Sequence, residues 1–358
     1  MRSYRDRDFI ETVEGLVFCV IGNIHPQDRV VSYLKYVAGY KSDIRVKWSR
    51  NGIEYGRILP FYSAIGVSKT MDFLRENYPY YIVFDRYRSI ELIEVPKDRI
   101  KIHYKPEEKA IDILRAPRDS LEELAKDLIE NIASRSGVKT RDFGVTGSIL
   151  LGIHNLMYSD IDLVVYGREN SYRLRETLNE LFNDGKSGFS KPSGDMLVEW
   201  ARDIARIHPL TIEEAMKLYR DIKWNRALYK GRQFSLHPVK IESEVSERWE
   251  DKIYKPIGLA TIRARIIDAT DSIFMPAIYV IDDVHIIDGV SIPNTIRFIV
   301  SYEGLYIDIA KEGEYVVAHG KVEKVIDLKM GEEYYQLTIG TYEARGKDYI
   351  KPVKWFTS

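Results

Sequence analysis

GVTGSILLGIHNLMYSDIDLVVYG, residues 144–167, is the stretch on which the reading of this 358-residue chain turns. It predicts a short strand over 143–146, a turn at Gly147-Ser148, a helical turn over 149–154 and a second strand over 161–166. Asp160 and Asp162 stand at the entrance of that second strand. Residues i and i+2 of a strand face the same way, so their α-carbons sit ~6.6 Å apart on one face. Ile161, Leu163 and Val165 then face a core. Two carboxylates side by side repel, and a divalent cation would relieve them; hard oxygen ligands at a strand end suit Mg²⁺ or Mn²⁺. Gly147 permits a close backbone approach. Ser148 offers a hydroxyl and an amide where a phosphate could sit. The plainer alternative is a solvent-facing Asp-x-Asp at a strand start.

Gly147-Ser148, a helical turn, and Asp160-Ile161-Asp162-Leu163 opening a strand together resemble the signature of the DNA polymerase β-like nucleotidyltransferase superfamily, in its minimal form. The resemblance covers roughly residues 120–245, and the whole chain is similar to archaeal proteins described as nucleotidyltransferases. It implies that Gly147 and Ser148 hold a nucleoside triphosphate and that Asp160 and Asp162 hold two metal ions, Mg²⁺ or Mn²⁺. It also implies a third acid on the last strand of the sheet.

The length predicts two or three domains. Apolar content of 45% and charged content of 30% describe a globular protein. The sequence has no apolar run of membrane-spanning length and no signal-peptide core near its start, so the expected compartment is the cytoplasm. One cysteine, Cys19, excludes an internal disulfide and a cysteine zinc cluster, and its apolar surroundings make it a core residue. The abundance of Tyr, Lys, Glu and Arg leans toward a thermophile.

Residues 1–115 read as an α+β domain with no catalytic constellation. Strands are expected over 15–22, 43–48, 55–60, 80–84, 91–95 and 101–104, and helices over 28–37 and 68–78. His25-Pro26 reads as a structural turn. Arg45, Lys47, Arg50 and Arg57 alternate with Trp48 and Tyr55, a composition that either grips nucleic acid or forms a solvated basic face.

Residues 116–250 form the predicted nucleotidyltransferase domain. A capping box of Ser120 and Glu123 starts a helix to about 134. Another helix is expected over 169–182. The Gly, Ser and Lys-rich stretch 183–195 is not a Walker A loop, because Glu180 stands where its first Gly would be needed. It reads as a mobile loop. Helices over 195–207 and 211–229, the second with a Thr211–Glu214 capping box, form a helical insertion within 186–230. Eleven basic against six acidic residues give segment 186–240 a charge of +5. Arg202, Arg206, Arg226 and Lys230 are its candidate nucleotide-binding residues, and RNA is its candidate partner. The third sheet strand is expected over 232–242. Its centre offers Ser235 and His237, and acids appear only at Glu242 and Glu244. Glu242 is therefore the candidate third catalytic carboxylate.

Residues 251–257 read as a linker. From 258 the pattern predicts five strands, over 260–268, 277–284, 295–301, 314–325 and 334–340, closing as a small OB-like barrel. Eleven basic and fifteen acidic residues leave 258–358 at −4. An acidic barrel suits domain packing or a homodimer better than nucleic acid. The expected whole is an α+β multidomain nucleotidyltransferase, moving an NMP from an NTP to a hydroxyl of RNA, protein or a small molecule. The rival is a nucleotide- or RNA-binding protein that keeps the fold without the chemistry.

Overall fold

The structure, a computed structural model, describes residues 2–40, 48–58 and 63–356. The chain opens with β1 (Phe9–Thr12), β2 (Leu16–Val20), β3 (Arg29–Ala38), β4 (Ser49–Arg50), β5 (Ile53–Gly56), helix α1 (Ala64–Asn77), β6 (Ile82–Asp85), β7 (Ile90–Pro96) and β8 (Ile100–Tyr104). Helices α2 (Pro106–Arg115) and α3 (Ser120–Ser136) follow, then β9 (Phe143–Val145), the single turn α4 (Gly147–Leu150), β10 (Ile161–Tyr166), α5 (Arg168–Leu181) and β11 (Phe189–Ser190). Next come α6 (Gly194–Ala205), α7 (Ile212–Lys217), β12 (Arg226–Tyr229) and β13 (Arg232–Val239). The chain closes with β14 (Lys252–Asp268), β15 (Ala277–Gly289), β16 (Ile296–Ser301), β17 (Tyr315–Asp327), β18 (Glu332–Ile339) and β19 (Tyr349–Pro352). The protein is α+β, and its described residues form three sheets.

Two compact units emerge: Met1–Pro60, Ile93–Pro192 and Trp224–Ser246 in one; Phe61–Leu92, Ser193–Lys223 and Glu247–Ser358 in the other. The first unit holds an antiparallel sheet ordered β4-β5-β3-β2-β1-β8, with the end of β7 also paired to β3. It also holds the sheet ordered β11-β12-β13-β10-β9, in which β10 runs parallel to β13 and antiparallel to β9. Helix α2 packs on β9 so closely that a side chain at Gly144 would strike Pro106. Leu174 and Leu178 of α5 and Leu128, Ile129 and Ile132 of α3 are fully buried.

In the second unit β14, β15, β16, β18 and β17 pair in that order and β17 returns to β14, so the five strands form a closed ring. All neighbours are antiparallel except β16 and β18. Ile262, Ala264, Ile266, Tyr279, Ile299, Val316, Ala318 and Leu337 fill its core, joined by Leu210 and Leu218 from the helical segment. Polar contacts fasten that segment to the ring: Lys351 Nζ lies 2.8 Å from Glu214, and Lys223 donates to the carbonyls of Gly304 and Ile307.

Several local expectations change. Residues 29–38 form β3 where a helix over 28–37 was expected: Val30, Val31, Tyr33 and Tyr36 are β-branched or aromatic, and with Leu34 they are buried on both faces, so tertiary packing overrides an accidental helical spacing. The helix expected over 211–229 stops at Lys217, passes through a wide π-type turn (Leu218–Ile222) and becomes β12. Arg226 and Lys230 therefore leave a strand and its hairpin turn, not a helix face. The cap of α3 is Asp119, whose side chain accepts from the amides of Leu121 and Glu122, in place of the Ser120–Glu123 box. The Thr211–Glu214 box forms as expected. Of the stretch expected as a linker, residues 252–257 form the start of the long β14. Most of the strand expected over 43–48 lies outside the described residues.

Candidate functional site

Alternation along β10 buries Ile161, Leu163 and Val165 completely. Asp162 is left half-buried, and Asp160 sits just ahead of the strand, solvent-exposed but closely surrounded. The Thr146 amide donates to the Asp162 carbonyl at 2.8 Å. Directly after it, Gly147 adopts φ +67°, and a β-carbon there would collide with Asp162 Oδ2. Only glycine meets both demands. The Gly147-Ser148 turn and the Asp pair are thus brought together as the sequence suggested.

The loop leading into Asp160 is tightly braced. The Asn155 side chain accepts from the Met157 amide at 2.9 Å, and Ser159 Oγ accepts from the Asn155 amide at 3.0 Å. Arg232 donates to the carbonyls of Leu156, Met157 and Ser159. Ser148 Oγ lies 3.3 Å from Ser159 Oγ. Leu156, Met157 and Tyr158 project outward from this loop.

Across the sheet, Arg226 of β12, Ser235 of β13 and Asp162 of β10 stand in register on three neighbouring strands. Ser235 Oγ donates to Asp162 Oδ1, and His237 Nε2 lies 3.0 Å from the same oxygen of Ser235. A hydroxyl has one proton, so the geometry assigns His237 as donor to Ser235. Asp162 is held below the ordinary carboxylate range: burial works against its charge, but the His237 ring, the Lys35 ammonium and the Ser235 hydroxyl outweigh burial. Asp160 is raised, first by the charge of Asp162 and then by burial, with Arg226 and Lys35 pulling the other way. His237 is pushed down to about 4 by burial and by the Arg7 charge, and is neutral at pH 7. The pair is thus one firm carboxylate beside one that resists ionising, the signature of like charges held close.

Arg226 is brought to the site, whereas Lys230 and Glu242 are engaged elsewhere. Lys230 pairs with Asp127 at 2.6 Å. Arg202 and Arg206 belong to the second compact unit, both exposed, and Arg206 pairs with Asp203. Glu242 lies in a turn beyond β13, where it accepts from Ser3 and from both Nε and Nη2 of Arg5. Against the cost of burial, Arg5 and Ser3 hold its carboxyl down to about 2. Glu244 accepts from the Arg168 amide at the start of α5. Opposite Asp162 on β13 stands Ser235, not an acid. Of the basic residues near the N-terminus, Arg50 donates to Tyr55, Tyr104 and the Leu151 carbonyl, and Arg57 stacks on Trp48 at 3.8 Å. Arg45 and Lys47 lie outside the described residues. Lys35, whose charge favours ionisation of both Asp160 and Asp162, and Arg7, whose charge couples to Asp162, carry no sequence signal beyond their charge.

Among the described residues no group of three or more His, Cys, Asp and Glu is placed to hold a metal ion. Asp160 and Asp162 can offer oxygen ligands to one cation. No helix among the described residues is long and apolar enough to cross a membrane.

Comparison with known proteins finds 32% identity over 351 residues to the uncharacterized protein MJ1086 of Methanocaldococcus jannaschii, spanning 97% of this chain and 98% of that one. No protein-family model matches the chain. No solved structure matches it with statistical significance.

Proposed function

The chain belongs to the same family as the uncharacterized protein MJ1086 of Methanocaldococcus jannaschii, and we propose that it is a metal-dependent nucleotidyltransferase, moving a nucleoside monophosphate from an NTP to a hydroxyl acceptor. The observation that carries this reading is the packing of Gly147 on Asp162, which seats the Gly-Ser turn against the carboxylate pair. That juxtaposition is what the resemblance to polymerase β-like nucleotidyltransferases implies. The antiparallel β9–β10 and parallel β10–β13 pairs support it further.

In this reading Asp160 and Asp162 would hold a divalent cation, which would neutralise phosphate charge and orient the attacking oxygen. Ser148 faces the triphosphate with its amide and hydroxyl, and Arg226 supplies positive charge from the adjoining strand. The acceptor oxygen attacks the α-phosphorus while the bond to pyrophosphate breaks. Glu242, engaged by Arg5 and Ser3, has no part in the step. We also read the closed ring β14-β15-β16-β18-β17 as an OB-type barrel, on the strength of its five-strand closure and its single parallel pair.

A second reading, a nucleotide-binding protein without transfer activity, draws on Ser235 standing where a third acid would be. Two experiments separate them. A ligand that binds only the folded chain stabilises it by ~2.7 kcal/mol at a hundredfold excess over Kd. NTP with Mn²⁺ is expected to raise Tm, and Asp160→Asn with Asp162→Asn to remove the rise; an unchanged rise in the double variant places the nucleotide elsewhere. Incubation with each α-labelled NTP and a cell extract then tests transfer. Binding without any labelled product favours the second reading.

A further inference from the structure

Leu156, Met157 and Tyr158 are three consecutive large apolar side chains that the fold leaves in water, exposed by 45%, 76% and 61%. Among the described residues no other run of three such side chains is exposed. Their neighbours along the chain behave differently: Ile149 and Ile153 before them, and Ile161 and Leu163 after them, are fully buried. A contiguous exposed apolar cluster marks a surface that another molecule covers.

The loop is not exposed because it is loose. The Asn155 carbonyl accepts from the amides of Tyr158 and Ser159 at 3.2 and 2.9 Å, and the Asn155 side chain accepts from the Met157 amide. The Arg232 guanidinium donates to the carbonyls of Leu156, Met157 and Ser159. All of these bonds engage the loop backbone, so the backbone shape is set without burying the three apolar side chains. Holding apolar surface in water costs stability, and a bound apolar group recovers that cost.

Two connections tie the loop to the site. Tyr158 precedes Asp160 by two residues, so their α-carbons lie within ~7 Å of each other. Ser159 Oγ lies 3.3 Å from Ser148 Oγ, which joins the loop to the Gly147-Ser148 turn. The proposed triphosphate seat and the apolar loop are therefore one braced piece. Size selects the occupant. A stable protein interface takes roughly 800 Å² from each partner, far more than three side chains supply. A nucleobase is small and flat, stacks on a tyrosine ring and makes favourable contact with a methionine sulfur.

We propose that Leu156, Met157 and Tyr158 form the platform on which the base of the bound nucleoside triphosphate stacks. The proposal rests on the nucleotidyltransferase reading and deepens it by placing the nucleoside end of the substrate. A stacking face responds to area and not to a hydrogen-bond pattern, so it favours purines over pyrimidines without choosing between the purines.

The test separates base from phosphate. The wild-type chain is titrated calorimetrically with ATP, GTP, CTP, UTP and inorganic triphosphate, each with Mn²⁺. The purine nucleotides are expected to bind about tenfold or more tighter than inorganic triphosphate. Met157→Ala with Tyr158→Ala is expected to remove most of that difference and to leave inorganic triphosphate binding unchanged, while Tyr158→Trp keeps it. A wild-type chain that binds nucleotides no tighter than inorganic triphosphate overturns the proposal and leaves the nucleotidyltransferase reading standing. So does a double variant that binds nucleotides like wild type; if that variant also loses transfer to a macromolecule, the loop serves the acceptor instead. Equal loss of nucleotide and inorganic triphosphate in the double variant overturns the proposal as well, because the loop then acts through the phosphate seat. Binding of none of these ligands by wild type removes both readings.

Discussion

Ser235 stands directly opposite Asp162 on the neighbouring parallel strand and donates its hydroxyl to that carboxylate. A neutral donor therefore occupies the place from which a third acid would face the pair. Replacing it puts the charge argument to a direct test. Ser235→Asp sets like charges on adjacent strands, which is destabilising by roughly 1 kcal/mol or more. The variant is expected to melt several degrees below wild type in a metal chelator and to recover in Mn²⁺. Equal melting in both conditions would mean that position 235 does not face a cation site.

Gly147→Ala meets two obstacles, the positive φ and the collision with Asp162 Oδ2. The backbone part alone costs on the order of 1–2 kcal/mol. Calorimetry should show at least that loss, together with loss of the NTP-dependent rise in Tm. A folded Ala variant with full nucleotide binding would contradict the close approach.

Arg226 and Lys230 were candidates for one role, but only Arg226 shares the register of Ser235 and Asp162. Arg226→Ala should weaken NTP binding about tenfold, ~1.4 kcal/mol, whereas Lys230→Ala should change it little. Equal losses from the two changes would argue for a broad basic surface instead.

Lys109 and Glu122 form a buried ion pair at 2.5 Å between α2 and α3. Lys109→Met leaves the buried carboxylate with only Arg118, whose amide donates to it at 2.8 Å and whose guanidinium lies 3.5 Å away, and should cost about 3 kcal/mol in denaturant unfolding, while Lys109→Met with Glu122→Leu should recover most of it. A single variant as stable as wild type would show that Arg118 alone satisfies the carboxylate.

His208 is buried in the second unit and is lowered to about 4 by burial and then by the charge of Lys223. It stays neutral in the fold while the unfolded chain protonates near pH 6.5. Its contribution is complete above pH 6.5 and is lost as pH falls toward 4, by about 3 kcal/mol in all. His25 and His237 are lowered to a similar value and add to the slope. His208→Phe should flatten part of the fall in stability between pH 6.5 and 4. A slope unchanged by the substitution would assign it wholly to other groups.

What the sequence determined by itself is local. The alternation of Ile161, Leu163 and Val165 against Asp160 and Asp162, the Thr211–Glu214 cap and the run of strands after residue 258 were legible because pleat and cap chemistry act within a few residues. What only the tertiary structure decided depends on partners far along the chain. Residues 28–37 became a strand because both of their faces are buried. Lys35 sits at a bulge between β2 and β3, and Arg7 in a left-handed conformation, that no spacing announces. Ser235, not Glu242, met Asp162 because a parallel pair fixes its register by packing two strands that are 73 residues apart at that point. A one-residue slip in such a pair sends every side chain to the opposite face, and sequence periodicity alone does not choose between the registers.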